Sequence, residues 1–199
     1  MRIPKNLPLD EEGQYCIECF SKNVGRVFRD DLTYYHCSSC GKTLERSLVI
    51  DNAIVWWIDD HNVYWHESVG ILVVVEGKLL TFLRKIYPFS YTIPSGHLDK
   101  GELPETAALR ELYEEVNISA PSLEVIKQNF DMSGDSCRRG CDNHRWHLYQ
   151  VKLASMPTVS LSDEAHAMRL MTLAELQGER QLTYSLKVFV SEMGEKIFL

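Results

Sequence analysis

Apolar positions along this chain fall into runs whose lengths and periods separate strands from helices. The plainest is Val69 to Val75, an aliphatic run of strand length that predicts a buried central strand. Glu76-Gly77 then reads as a turn and Lys78 to Arg84 as the returning strand. Further strands are expected near Leu123 to Phe130, His144 to Leu153 and His166 to Met171. A helix should start at Leu173, capped by Thr172, and a second at about Thr183. Upstream, Ala53 to Ile58 is strand-like and carries Trp56 and Trp57, which are expected to pack one module on another; base stacking is the alternative. Nearer the N-terminus, Val24 to Phe28 and Leu32 to His36 predict a hairpin turning at Arg29-Asp30-Asp31.

One polar pattern works against its own helix. Placed on a helical wheel, Glu114, Glu111 and Glu115 fall at roughly 40°, 100° and 140° from Arg110, so the three carboxylates share a face. Leu109, Leu112 and Val116 fall opposite, on the face to be buried. Glu111 repels Glu115 at i,i+4 by about 0.2–0.5 kcal/mol, and anions near a helix C-terminus oppose its dipole by about 0.3–1 kcal/mol each. A divalent cation reverses both penalties. Glu111 and Glu115, one turn apart, can hold such an ion between them, with Glu114 as a further ligand or orienting group. Arg110 can pair with Glu114, and Glu102 can reach it from the preceding loop.

Residues 96 to 118 resemble the Nudix box, Gly-x5-Glu-x7-Arg-Glu-U-x-Glu-Glu-x-Gly-U, where U is a bulky aliphatic residue. Gly96, Glu102, Arg110, Glu111, Leu112, Glu114, Glu115 and Ile118 fill their positions, and Asn117 stands where the family has glycine. That position ends the helix, and asparagine is the next most tolerant residue of the left-handed conformation expected there. The resemblance implies an α+β fold, the Nudix α/β/α sandwich with a mixed sheet. It implies hydrolysis of a nucleoside diphosphate linked to another group, with magnesium or manganese held by the Gly96 carbonyl, Glu111, Glu114 and Glu115. Arg110 and Glu102 would then play a supporting part. The general base in the family is either a box glutamate or a carboxylate on a later loop. Here Glu164, in Ser-Asp-Glu 162 to 164, is the candidate, and an ordinary acidic loop is the alternative.

Cys16-x2-Cys19 and Cys37-x2-Cys40, separated by 17 residues, suit a tetrahedral structural zinc. They resemble a zinc ribbon. Two disulfides are the alternative. A module this small depends on its metal for most of its stability, and a closed four-thiolate shell leaves no open position for chemistry. The expected division is a ribbon over 13–45, a connector over 46–65 and a Nudix domain over 66–199. Nudix enzymes with an N-terminal zinc ribbon include the NADH pyrophosphatases, but their Ser-Gln-Pro-Trp-Pro-Phe-Pro-like stretch is absent after Ser119. The substrate class expected is therefore broader, of dinucleotide or nucleotide-sugar type (NAD(H), ADP-ribose or FAD-like). A non-catalytic Nudix ligand sensor is the alternative.

Composition adjusts this picture only at its edges. The chain has 199 residues, 45% of them hydrophobic, enough for one sizeable core and a small second module. Lys and Arg number 21 against 28 Asp and Glu, a net charge of −7 that disfavours broad nucleic-acid binding. No run is long enough for a membrane span, and the first residues lack an apolar signal core, so a cytoplasmic location is expected. Relatives are often dimers, so a homodimer is the expected assembly.

The segment Asp131 to His147 is the unexpected one, read as a loop whose end enters a strand. Arg138, Arg139 and Arg145, with Arg84 upstream, are candidates for engaging substrate phosphates. Cys137, Cys141, His144 and His147 have the residue types of a zinc site, but their spacing fits no common pattern. The simpler expectation is a flexible polar loop with two incidental thiols.

Overall fold

In the computed structural model, which describes residues 2–4 and 7–198, the chain begins with a small cysteine-bearing layer. Strand β1 (Gly13–Cys16) leads to a hairpin of β2 (Val24–Arg29) and β3 (Leu32–Cys37). Asp30 and Asp31 turn that hairpin with φ of 49° and 62°, the left-handed pair that a two-residue turn demands. The short β4 (Thr43–Leu44) pairs with β3, and β5 (Ser47–Ile50) returns antiparallel to β1.

The main sheet is built around one long strand. β6 (Trp56–Ile58) pairs with the start of β7 (Tyr64–Val75), which runs five residues further upstream than its aliphatic core. β8 (Lys78–Arg84) returns beside it, followed by the short β9 (Tyr91–Thr92) and β10 (Ser95–His97). Then come α1 (Pro104–Val116), β11 (Glu124–Ser133), β12 (Asn143–Leu153), β13 (Ala165–Met171), α2 (Leu173–Gly178) and α3 (Tyr184–Phe198). The strand order is β11-β12-β7-β8-β13, with β12 parallel to β7 and the other pairs antiparallel, so the sheet is mixed. Ala107, Ala108, Leu112 and Val116 of α1 bury against Val69, Ile71 and Val73 on one face. Leu186, Phe189 and Ile197 of α3 bury against Leu72, Val74 and Leu148 on the other. Both faces of β7 are thus covered, which is why its sequence does not alternate.

Local signals explain the helix ends. Pro104 opens α1, where a missing N–H costs nothing. Asn117 closes it at φ 57°, ψ 33°, its N–H returning to Tyr113 O at 2.8 Å. Thr172 caps α2 in a reciprocal box with Glu175.

The segment 131–147 is a loop over Gly134 to Asp142 and its end enters a strand, as expected: β11 continues to Ser133 and β12 resumes at Asn143. The two tryptophans do not act alike. Trp56 packs in a cluster with Tyr15, Leu48, Ile50 and Tyr64, joining the N-terminal layer to the sheet. Trp57 instead stacks on Trp65, with ring centroids 5.6 Å apart. Among the described residues no helix is long and apolar enough to cross a membrane.

Candidate active site and cysteine cluster

The helix α1 and strand β10 face each other across the floor of a cleft enclosing about 810 Å³, open to solvent at its mouth. β10 approaches α1 so closely that a Cβ at Gly96 would collide with the Glu111 carboxylate. Any larger residue there would have to push that carboxylate off its bond to Arg110. Glu115 reaches the same floor, its Oε2 accepting the Ser95 N–H at 2.7 Å. Burial pushes the Glu115 carboxyl up to about 8 and raises that of Glu111 as well. Two enclosed carboxylates one turn apart, beside a backbone edge stripped of its side chain, form an oxygen-donor set that fits a hard divalent cation.

Arg110 organises this floor. Its Nε and Nη2 bond Glu102 at 3.1 and 2.9 Å, its Nη1 bonds Glu111 at 2.6 Å, and Nη2 reaches His97 O at 3.2 Å. Glu102, through these bonds, is held below its ordinary carboxylate range. Glu114 departs from the other two carboxylates. Its side chain is 57% exposed against 13% for Glu111, it lies 3.4 Å from Arg110, and it does not line the cleft. The reason is its position on the helix, nearest the solvent edge of the shared face.

The cleft wall carries the remaining candidates. Arg84, Arg138, Arg139 and Glu164 line it, with Glu164 paired to Arg138 at 3.0 Å and Arg139 to Asp51 at 2.6 Å. Arg84 Nε is buried with no hydrogen-bond partner. Arg145 is not in the cleft: it is held by two bonds to Asp131, at 2.6 and 2.9 Å, and lies over the Trp57 ring. Alternation along β12 turns it to the opposite face from His144 and Trp146.

The loop between β11 and β12 is built in, which corrects its reading as a flexible polar segment. Ser47 and Val49 of β5 donate their N–H groups to Arg138 O and Arg139 O, at 3.1 and 3.0 Å. Gly140 passes so close to Leu48 that an added Cβ would stand 2.8 Å from Leu48 Cα. Cys141 is buried, its Sγ donating to Tyr64 O and Asn143 O, and His147 pairs with Glu67 at 2.7 Å. Cys137 and His144 instead face His66 and His97, neither of which stood out in the sequence.

In the N-terminal layer the two knuckles close on each other. Cys16 Sγ lies 3.8 Å from Cys40 Sγ, and Cys19 Sγ 3.6 Å from Cys37 Sγ. All six cysteines are free thiols, so no disulfide forms. Backbone N–H groups of Cys40 and Ser39 aimed at Cys37 lower that thiol to about 7, while burial and the neighbouring thiols push its partner Cys19 up to about 12.

Comparison with known proteins places this architecture. The family model described as NUDIX domain matches residues 65–191, well over half of the chain. The chain belongs to the Nudix family. A curated relative, the RNA pyrophosphohydrolase of Shewanella sediminis, is 34% identical over 59 residues, covering 30% of this chain and 34% of that relative. The matched stretch thus spans about a third of that relative's length. Among solved structures, the MutT protein of Methanosarcina mazei Go1 superposes with a TM-score of 0.56 at 17% identity, over 66% of this chain and 94% of its own. The NUDIX domain of Shewanella oneidensis NrtR, in complex with ADP ribose, superposes with a TM-score of 0.56 at 18% identity, over 67% of this chain and 88% of its own. These likenesses establish the fold, and the Cys16/Cys19/Cys37/Cys40 cluster adds a zinc-ribbon-like element to it.

Proposed function

We propose that this chain is a divalent-cation-dependent pyrophosphohydrolase that cleaves the diphosphate linkage of a nucleoside diphosphate derivative. The observation that carries this reading is the pair of enclosed carboxylates, Glu111 and Glu115, against the side-chain-free edge at Gly96. Buried acids repel one another and resist ionisation, so a fold that gathers them is adapted to a positive ligand. The Gly96 carbonyl, Glu111 and Glu115 would hold magnesium or manganese, with Glu114 at the rim. When bound, the ion supplies charge neutralisation on the diphosphate and a more acidic attacking water.

The chain's own side chains provide the rest. Arg110 fixes Glu111 and Glu102 in place through charge-assisted bonds. Arg84, whose Nε lacks a partner, and Arg138 and Arg139 give the wall positive groups for phosphate oxygens. Of the carboxylates lining the cleft, Glu111 and Glu115 serve the cation. Asp135 is committed to His144 and Trp146, at 3.2 and 2.8 Å. Glu164, which pairs with Arg138 at 3.0 Å and is the more exposed of the two, is the carboxylate assigned to accept the proton of the attacking water. The substrate class is of the dinucleotide or ADP-ribose type: one structural neighbour carries ADP ribose, and the cleft joins the carboxylate floor to a wall of arginines. The cysteine cluster would hold a structural zinc, and residues 13–45, 46–65 and 66–199 serve as ribbon, connector and hydrolase domain.

Hydrolysis of a panel (NADH, ADP-ribose, FAD, dinucleoside polyphosphates, nucleoside triphosphates, capped RNA) with magnesium and then manganese tests the reading. At least one substrate should turn over only with the cation, and Glu115→Gln should abolish that turnover. An unchanged rate in the variant would falsify the mechanism.

A further inference from the structure

Sheet register gathers a second set of metal-ligand side chains that no sequence spacing announces. β12 runs parallel to β7 with His144 directly beside His66, and β10 pairs along β7 with His97 opposite Ser68. His66 and Ser68 are two apart on one strand and so share a face. Three imidazoles therefore converge, at centroid separations of 4.7, 5.7 and 6.0 Å. The loop after β11 folds over them and brings Cys137 into the gap. One ligand atom from each of these four side chains lies within 4.8 Å of all the others.

The separations are those of a tetrahedral ion. His66 Nδ1 stands 3.0 Å from His97 Nε2 and 3.7 Å from Cys137 Sγ. Zinc–nitrogen bonds of about 2.05 Å and zinc–sulphur bonds of about 2.3 Å place tetrahedral nitrogens about 3.3 Å apart, and nitrogen and sulphur about 3.6 Å apart. The same arithmetic gives about 3.8 Å between sulphurs, and the knuckle cysteines stand 3.6 and 3.8 Å apart. Both clusters pass one geometric test. We propose that His66, His97, Cys137 and His144 hold a second transition-metal ion, zinc, in the wall of the cleft.

The surroundings supply what such a site needs. His144 Nδ1 lies 2.8 Å from Asp135 O, and a carbonyl can only accept, so Nδ1 carries a proton and Nε2 is the nitrogen left to face an ion. The Asp135 carboxylate, 3.2 Å from the same nitrogen, also accepts the Trp146 indole N–H at 2.8 Å. This carboxylate–histidine arrangement orients ligands in many metal sites. Three nitrogens and one sulphur select a borderline-soft ion over magnesium or manganese, which prefer oxygen. Four protein ligands close the shell, so the ion's part is structural. It would tie the loop bearing Arg138 and Arg139 to β7, β10 and β12, with His97 adjoining Gly96. Cys141 and His147, the other half of the quartet visible in the sequence, are committed elsewhere.

The site shares no ligand with the carboxylate floor, so it stands independently of the hydrolase reading. The test is metal content of the full chain, reconstituted with excess zinc and freed of loosely held ions. Wild type should retain two equivalents. Cys16→Ser and Cys137→Ser should each retain one, and Cys141→Ser, outside the cluster, two. One equivalent in wild type, unchanged in Cys137→Ser, overturns the proposal. Should Cys137→Ser fail to fold, zinc X-ray absorption on wild type decides. Mixed nitrogen and sulphur coordination supports the second site, and sulphur alone excludes it.

Discussion

Replacing Glu115 by glutamine should move stability and activity in opposite directions. Burial lifts this carboxyl from 4.5 to about 8, so between those values the unfolded chain has released a proton that the folded chain retains. The stability involved is fully present below the unfolded pKa and is lost as pH rises through the folded one. Without a cation, that one group lowers folding stability by about 2 kcal/mol at pH 6 and about 4 kcal/mol at pH 8. Glutamine cannot ionise, yet it keeps an oxygen for the Ser95 N–H. The attraction of the ionised carboxylate to Arg84 is already contained in that folded pKa, so its loss adds no separate contribution. The advantage of Glu115→Gln over wild type should therefore widen by about 2 kcal/mol from pH 6 to pH 8, roughly 4–8 °C in Tm for a chain of this size. Thermal melts in buffer free of magnesium and manganese, zinc retained, measure the gap. Adding either cation at pH 8 should raise the Tm of wild type and leave the variant unmoved. A gap that stays constant with pH, or a cation that stabilises both proteins equally, refutes the reasoning.

Three further substitutions probe separate parts of the site. Gly96→Ala drives a methyl group into the Glu111 carboxylate and should reduce kcat/KM by at least about a hundredfold, with the circular dichroism spectrum retained. Glu164→Gln should lower kcat by about 10²–10⁴ with little change in KM, if this residue accepts the proton of the attacking water; a raised KM with kcat unchanged would assign it to binding through Arg138 instead. Asn117→Ala forces an ordinary side chain into the left-handed helix end and should cost about 1 kcal/mol, read as a fall of about 2–4 °C in Tm with activity unchanged.

How much of this was visible beforehand follows from how each part is encoded. The carboxylate helix is local: Arg110, Glu111 and Glu115 lie within two turns, so a wheel projection places them correctly. Glu114, farthest of the three from the buried face on that wheel, is also the one left at the solvent edge. The knuckle cysteines are also local, two close pairs joined by a short hairpin. The His66, His97, Cys137 and His144 cluster is different in kind. Its members lie up to 78 residues apart and meet only through strand register, which composition and periodicity do not contain. Half of it was suspected through Cys137 and His144, but with the wrong companions, since strand alternation sends His147 toward Glu67. Arg145 differs for a related reason: the expected strand from His144 already contains it, but only the neighbours of β12 decide which face looks into the cleft, and the arginine falls on the far one.

The backbone bonds from Ser47 and Val49 to the Arg138–Arg139 segment mean that this rampart of the cleft leans on the N-terminal layer. The chain is therefore not divisible into a dispensable appendage and a self-sufficient engine. Cutting it back to the stretch that the family shares would leave that rampart without its buttress, so truncation should damage recognition of substrate even where the carboxylate floor survives untouched.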